Sequence, residues 1–134
     1  MSFVLDPRLK ADTAPVCDLA LCRVLLMNDS RYPWLILVPQ RDSIAEIHEL
    51  APGEATLLMR EIMQATRAMR RFAGVEKVNV GALGNIVRQL HIHIVGRRAG
   101  DFAWPGPVWG AGAPSAYDPA ELKARLVGFA DQLR

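Results

Sequence analysis

Cysteine is scarce in this sequence, which contains only Cys17 and Cys22. A disulfide framework or a cysteine-based zinc cage needs a second pair, so both residues are interpreted as reduced thiols. The sequence also lacks any apolar run near the ~20 residues that cross a bilayer. Residues 1–8 lack the basic and then apolar pattern of a signal peptide. We therefore expect a cytoplasmic location and no membrane partner.

A large excess of charge is absent as well. The 134 residues include 16 Lys and Arg against 14 Asp and Glu, which leaves a formal charge of +2. Proteins that attract nucleic acid electrostatically usually show a strong basic excess, so no nucleic-acid partner is expected. The length fits one domain, residues 1–134, whose core needs no disulfide or structural metal.

Short apolar segments bounded by turn residues predict strands, and segments with helical periodicity predict helices. The predicted strands are residues 19–27, 34–38, 75–83 and 86–95. The predicted helices are residues 8–13, 42–47, 52–72 and a last one that begins after Asp118, while residues 99–117 form a loop packed by its tryptophans. Strands and helices do not alternate strictly, which favours the α+β class with an antiparallel sheet.

Histidine is also rare, and two of the three histidines stand in the segment QLHIHIV, residues 89–95. Side chains on a strand alternate between faces, so Gln89, His91 and His93 are expected on one face and the aliphatic residues on the other. The third histidine, His48, is interpreted as a surface residue, because no partner for it stands nearby in the sequence.

Three functions fit the paired histidines. The first is a polar, solvated strand face without chemistry. The second is a metal site, for which a third ligand would have to come from His48, a cysteine or a carboxylate. The third is nucleophilic catalysis, in which a neutral imidazole attacks phosphorus. The second imidazole then binds the phosphate oxygens or the leaving group, and in its protonated form it also offsets their negative charge.

The segment QLHIHIV resembles the signature of the histidine triad (HIT) family, in which three histidines alternate with apolar residues and the central one is the nucleophile. The resemblance extends to residues 25–29 and 33–39 and to Asn79 and Gly84-Asn85, and it covers most of residues 19–98. It implies a HIT-like fold with an antiparallel sheet of about five strands, one long helix and several short helices. It also implies a homodimer and no required metal or other cofactor.

The resemblance implies roles for particular residues. His91 falls on the nucleophile that takes the α-phosphate of a nucleotide, and His93 on the last histidine, which holds phosphate oxygens and the leaving-group side. Gln89 falls on the first triad position, where its amide stabilises phosphate oxygens. The implied substrate-binding residues are Asn28 or Asp29 at the ribose hydroxyls, and Asn79, Gly84 and Asn85 at the phosphates.

The implied function is that of a nucleotide hydrolase or nucleotidyl transferase. It cleaves nucleoside phosphoramidates or dinucleoside polyphosphates at the α-phosphate through a nucleotidyl-His91 intermediate, with a purine nucleoside phosphate derivative as the expected substrate. Three residues depart from the family pattern: Gln89 replaces a histidine, Trp34 follows Pro33 where many relatives have Pro-x-His, and Ile86 replaces a Ser or Thr. A nucleotide-binding module with little catalysis and a metal-dependent hydrolase therefore stay open as alternatives.

Overall fold

The computed structural model describes residues 2–133, which form an antiparallel sheet covered on both faces. The sheet has five strands in the order β1-β2-β3-β5-β4. The elements are α1 (Pro7–Asp12), β1 (Thr13–Asp18), β2 (Cys22–Met27), β3 (Trp34–Pro39), a 3-10 turn (Ile47–Glu49), α2 (Pro52–Arg71), β4 (Lys77–Gly81), β5 (Ile92–Arg97) and α3 (Pro119–Gln132). The predicted α+β class, five-stranded sheet and single long helix are confirmed. Among the described residues, no helix is long and apolar enough to cross a membrane.

One face of the sheet, here called the helix face, packs against α2 and α3. Leu37 of β3 and Ile94 of β5 contribute to this core, where they meet Leu58 and Met69 of α2 and Phe129 of α3. Each fully buried aliphatic side chain stabilises the fold by roughly 1.5–3 kcal/mol. The long helix begins at Pro52, which suits the first helical position because its missing N–H has no partner there.

The opposite face, here called the loop face, includes Trp34 and Ile36 of β3 and Val95 of β5. It is covered by the N-terminal segment, through Leu9, and by the loop that contains Val108. All residues of β3 and β5 are buried as a result. This explains why both strands are continuously apolar rather than alternating.

The absence of a side chain at Gly96 lets β5 pack closely against its neighbours. A Cβ atom at this position would lie 2.7 Å from Val75 Cγ2 and 2.8 Å from both Met69 Sδ and Pro33 Cγ. A larger residue fits there only if these side chains shift. The end of α2 is thereby held against β5, the strand that contains His93.

Several predicted boundaries are wrong. The predicted strand 86–95 is a strand only from Ile92 onward, because Leu90 donates its N–H to the carbonyl of Ile44 in a loop. The predicted helix 42–47 is absent, and the chain turns at Ser43, whose φ is 55°. The edge strand β1 was missed, since it contains Pro15 and lacks an apolar run.

A buried carboxylate ties α2 to the turn between β1 and β2. Glu61 accepts hydrogen bonds from the backbone N–H groups of Leu21, at 2.9 Å, and Cys22, at 2.8 Å. Burial and the neighbouring Glu61 charge raise the pKa of the Cys22 thiol, which stays protonated at neutral pH.

Replacing this carboxylate is expected to be costly. Glu61→Ala leaves two buried N–H groups unpaired and should lower the free energy of unfolding by about 2–4 kcal/mol, since each such group costs about 1–3 kcal/mol. Urea denaturation measures the loss. The exposed neighbour Arg60 supplies the control, because Arg60→Ala should change stability by less than about 0.5 kcal/mol. Equal effects of the two substitutions would contradict this role of Glu61.

Candidate active site

His91 and His93 lie together at the start of β5. Their ring centroids are 4.9 Å apart with the rings nearly edge to face, and both residues are buried. His93 is paired with Ile36 on one side and with Gly81 on the other, so it occupies the interior of the sheet on its loop face. The expected juxtaposition of the two imidazoles is therefore present.

One hydrogen bond fixes the tautomer of neutral His91. Its Nδ1 lies 2.7 Å from the backbone carbonyl oxygen of Gln89. A carbonyl oxygen only accepts hydrogen bonds, so Nδ1 must hold the proton. The Nε2 lone pair of neutral His91 is then available as a nucleophile.

His93 has the opposite tautomer. The indole N–H of Trp34 donates to His93 Nδ1 at 3.0 Å, and an indole nitrogen cannot accept. The proton of neutral His93 is therefore on Nε2. Burial, and secondarily the charge of His91, lower the pKa of His93 to about 3. The protonated His93 considered from the sequence does not match these surroundings.

His91 opens onto a cleft of about 360 Å³. Its walls are formed by three chain segments, residues 45–48, 82–84 and 89–91. A second cleft of about 220 Å³ shares Glu46 and Gly84 with the first and adds Asn85 and Arg88. Of the predicted site residues, His91, Gln89, Gly84 and Asn85 thus line one continuous region.

Gln89 connects this region to the N-terminal segment. Its side-chain oxygen accepts the N–H of Asp6 at 2.8 Å, and its side-chain nitrogen donates to the carbonyl of Val4 at 2.9 Å. One amide hydrogen and one oxygen lone pair remain for other partners. Gln89 lies outside β5, so the strand alternation assumed for it from the sequence does not apply.

The other predicted binding residues hold parts of the fold together. Asn28 accepts the backbone N–H of Tyr117 at 3.0 Å. Asp29 forms an ion pair with Arg31 at 2.8 Å and accepts the N–H of Ser115. Burial opposes ionisation of Asp29, but its hydrogen bonds to Arg31 outweigh this and lower its pKa. Neither residue lines the two clefts beside His91.

Asn79 belongs to a buried polar cluster further along the loop face. Its side-chain oxygen accepts a hydrogen bond from Arg97 at 2.9 Å. Arg97 also forms a two-bond ion pair with Asp101, at 2.7 and 2.9 Å, which lowers the pKa of the Asp101 carboxyl. The cluster fixes the loop that follows β5.

Comparisons with known proteins show the family of this chain. The HIT domain family model matches residues 8–100. The chain belongs to the HIT domain family. HIT proteins form a superfamily of nucleotide-binding hydrolases and transferases. No curated protein matches the sequence.

Solved structures of HIT proteins resemble this chain over its whole length. A histidine triad protein from Bradyrhizobium japonicum is 42% identical with a TM-score of 0.97, and all of both chains is covered. One from Sinorhizobium meliloti is 46% identical with a TM-score of 0.95, covering 98% of this chain and 97% of that chain. One from Marinobacter aquaeolei is 44% identical with a TM-score of 0.92, again over all of both chains.

Further residues lie beside the two histidines. His48 is exposed, as predicted, and lines the cleft beside His91, and Arg88 lines the adjoining cleft. Trp109 packs edge to face on His93 with a centroid distance of 5.4 Å and covers Gly81, where a Cβ would come within 3.1 Å of the indole. The rarity of histidine was the one signal that pointed to His48.

The described residues form other clefts away from this site but no cluster of metal ligands. A larger cleft of about 740 Å³ lies over β1, where its lining includes Lys10 and Arg23 but neither His91 nor His93. No group of three or more His, Cys, Asp or Glu side chains within residues 2–133 is arranged to hold a metal ion.

The lowered pKa of His93 predicts a pH dependence of stability. The unfolded chain binds a proton at this residue below about pH 6.5, whereas the folded chain does so only near pH 3. The wild type should therefore lose stability from His93 as the pH falls from about 6.5 toward 3. His93→Gln lacks this titration, so its free energy of unfolding should fall less over the same window. Parallel curves from urea denaturation would contradict the neutral state of His93.

Loss of the Gln89 amide should release the N-terminal segment. Gln89→Ala removes both hydrogen bonds to residues 4–6, so the backbone N–H of Asp6 should exchange with solvent at least several-fold faster. Hydrogen exchange read by NMR tests this expectation. Arg88→Ala, one residue away and exposed, should leave the Asp6 exchange rate at the wild-type value. Unchanged protection in Gln89→Ala would show that other contacts hold the segment.

Proposed function

We propose that this HIT protein cleaves nucleotides at the α-phosphate through a covalent nucleotidyl-His91 intermediate, as a hydrolase or a nucleotidyl transferase. The observation that supports this most directly is the 2.7 Å contact between His91 Nδ1 and the Gln89 carbonyl. It fixes the tautomer in which Nε2 has a lone pair, in a residue that lines an open cleft. Nucleoside phosphoramidates and dinucleoside polyphosphates are the proposed substrates.

The reaction proceeds in two displacements. The His91 Nε2 lone pair forms a bond to the α-phosphorus as the bond to the leaving group breaks and its electron pair departs with that group. The proton on Nδ1 stays hydrogen-bonded to the Gln89 carbonyl, which stabilises the positive imidazole of the intermediate. Water or another hydroxyl acceptor then attacks phosphorus and loses a proton to solvent, and the electron pair of the N–P bond returns to Nε2.

The binding region offers partners for phosphate groups. The ring centroid of His93, whose neutral form has its proton on Nε2, lies 4.9 Å from that of His91. Arg88 is exposed in the adjoining cleft beside Gly84 and Asn85, and it belongs to no ion pair within residues 2–133. We propose that Gln89 occupies the first triad position and supports the His91 site through its backbone carbonyl, with its free amide hydrogen available to a phosphate oxygen.

The other predicted binding residues, the substrate, the oligomeric state and the location are also proposals. Three of the proposed binding residues already have partners within the protein: Asn28 binds the backbone, Asp29 binds Arg31 and Asn79 binds Arg97. A nucleotide would bind them through the donors and acceptors that these bonds do not use. A nucleotide substrate derived from a purine nucleoside, action without a required cofactor, a homodimer and a cytoplasmic location all stay predictions.

Trapping of the intermediate tests the function. Purified protein is incubated with a diadenosine polyphosphate or an adenosine phosphoramidate in the presence of a chelator, quenched, and examined by mass spectrometry. Wild type should gain one adenylyl group on His91, and His91→Ala should show neither the adduct nor product. His48→Ala removes another imidazole from the same cleft but should still form the adduct. Turnover by His91→Ala would disprove the mechanism, and turnover lost with chelator would favour the metal-dependent alternative.

The nucleotide-binding module remains the second candidate. Neutral His93 offers no imidazolium to assist a leaving group, and Gln89 uses both ends of its amide on the N-terminal segment. Both features would be compatible with a pocket that holds nucleotide and turns it over slowly. Nucleotide affinity by calorimetry with no adduct and no product would favour this candidate.

A further inference from the structure

The hydrogen bond between Trp34 and His93 is set by the register of the central strands. Trp34 of β3 faces Val95 of β5, and His93 faces Ile36, so Trp34 and His93 are diagonal neighbours on the loop face. The indole N–H reaches His93 Nδ1 at 3.0 Å with both residues buried. Their rings meet edge to face at 5.7 Å. The bond is therefore part of the sheet rather than of a movable loop.

This bond acts together with burial to prevent His93 from serving as an acid. Protonation of imidazole requires a lone pair on nitrogen, and the only lone pair of His93 is the one on Nδ1 that accepts the indole N–H. An imidazolium would break this bond and place an N–H of His93 against that of Trp34. The aromatic rings in contact with His93 are Trp34, Trp109 and His91, and a positive charge on His91 would oppose a second one on His93.

Leaving groups differ in their need for such an acid. When the P–O bond of a phosphoric anhydride breaks, the electron pair stays on a phosphate oxygen that is stable as an anion near neutral pH. When a P–N bond breaks, the electron pair goes to nitrogen, which must gain a proton as it departs because an amide anion is far more basic than an amine. A neutral Nε2–H can stabilise either leaving atom by hydrogen bonding but does not transfer its proton.

We propose that Trp34 is a positioning residue that keeps His93 a neutral hydrogen-bond donor, and that the site therefore cleaves nucleotide anhydrides in preference to nucleoside phosphoramidates. This inference rests on the proposed function and narrows its two substrate classes to one. In the preferred reaction His91 Nε2 bonds to the α-phosphorus, the bridging P–O bond breaks, and the released phosphate leaves with the electron pair. His93 Nε2–H hydrogen-bonds to the departing oxygen and retains its proton throughout.

The first measurement compares the two classes of substrate on the wild-type protein. Diadenosine tetraphosphate and an adenosine phosphoramidate with an alkylamine leaving group are assayed for kcat/KM under identical conditions. General acid catalysis is worth roughly 100-fold or more, so the amidate should react slower than the anhydride by at least about that factor. Amidate cleavage at an equal or higher rate, with the His91 adduct formed, would overturn this inference and leave the proposed function standing. Cleavage of neither substrate would overturn both.

The second measurement isolates Trp34. Trp34→Phe keeps an aromatic ring but removes the N–H, so His93 Nδ1 becomes free to bind a proton. The ratio of amidate to anhydride kcat/KM should rise by about tenfold or more. Trp109→Phe is the matched control, because Trp109 also packs edge to face on His93 while its buried N–H has no hydrogen-bond partner among the described residues. Its substrate ratio should equal that of wild type, and an equal ratio in Trp34→Phe would overturn the role of Trp34.

A spectroscopic readout remains decisive if Trp34→Phe folds poorly. The ¹⁵N chemical shifts of His93 in the wild-type protein distinguish a protonated Nε2 from a protonated Nδ1 and from imidazolium. A neutral ring with its proton on Nε2 at neutral pH is the expected result. A protonated Nδ1 or an imidazolium would overturn the inference whatever the rates show.

Discussion

Strands β3 and β5 have no face in contact with water, and most of the molecule follows from that constraint. The helix face is covered by apolar side chains of α2 and α3, as in any hydrophobic core. The loop face has no helix layer of comparable length, so the N-terminal segment and the loop after β5 cover it. Two imidazoles are buried on this face, and a buried polar group is tolerated only when it is hydrogen-bonded. Gln89 O and Trp34 Nε1 supply those bonds.

The two histidines gain different chemistry from this arrangement although they are two residues apart. A carbonyl acceptor leaves His91 with an unprotonated Nε2, and an indole donor leaves His93 with a protonated one. Their neighbours thus leave neutral His91 with a lone pair on Nε2 and neutral His93 with a hydrogen-bond donor at the same atom. The same burial that stabilises the sheet lowers the pKa of His93, and the Trp34 N–H occupies the one lone pair of its neutral ring.

Polar residues near the site also stabilise the covering segments. Gln89 binds residues 4–6, Asn28 and Asp29 bind the chain at 115–117, and Asn79 contacts Arg97, whose partner Asp101 belongs to the loop. These are the positions to which the family resemblance assigns substrate contacts. Their hydrogen bonds already hold the N-terminal segment and residues 99–117, so these side chains have a structural role in the protein without a ligand.

The sequence by itself determined the α+β class, the long helix, the hairpin of β2 and β3 and the pairing of His91 with His93. These features follow from apolar periodicity, from Pro52 and Gly74 at the helix limits, and from the local pattern around His91. Only the tertiary structure decided that β5 begins at Ile92, that His48 and Arg88 line the clefts, and that Trp34 bonds His93. Those facts depend on contacts between residues far apart in the chain, such as Trp34 and His93, whose sequence separation is 59. No local pattern encodes which distant side chain contacts a given nitrogen.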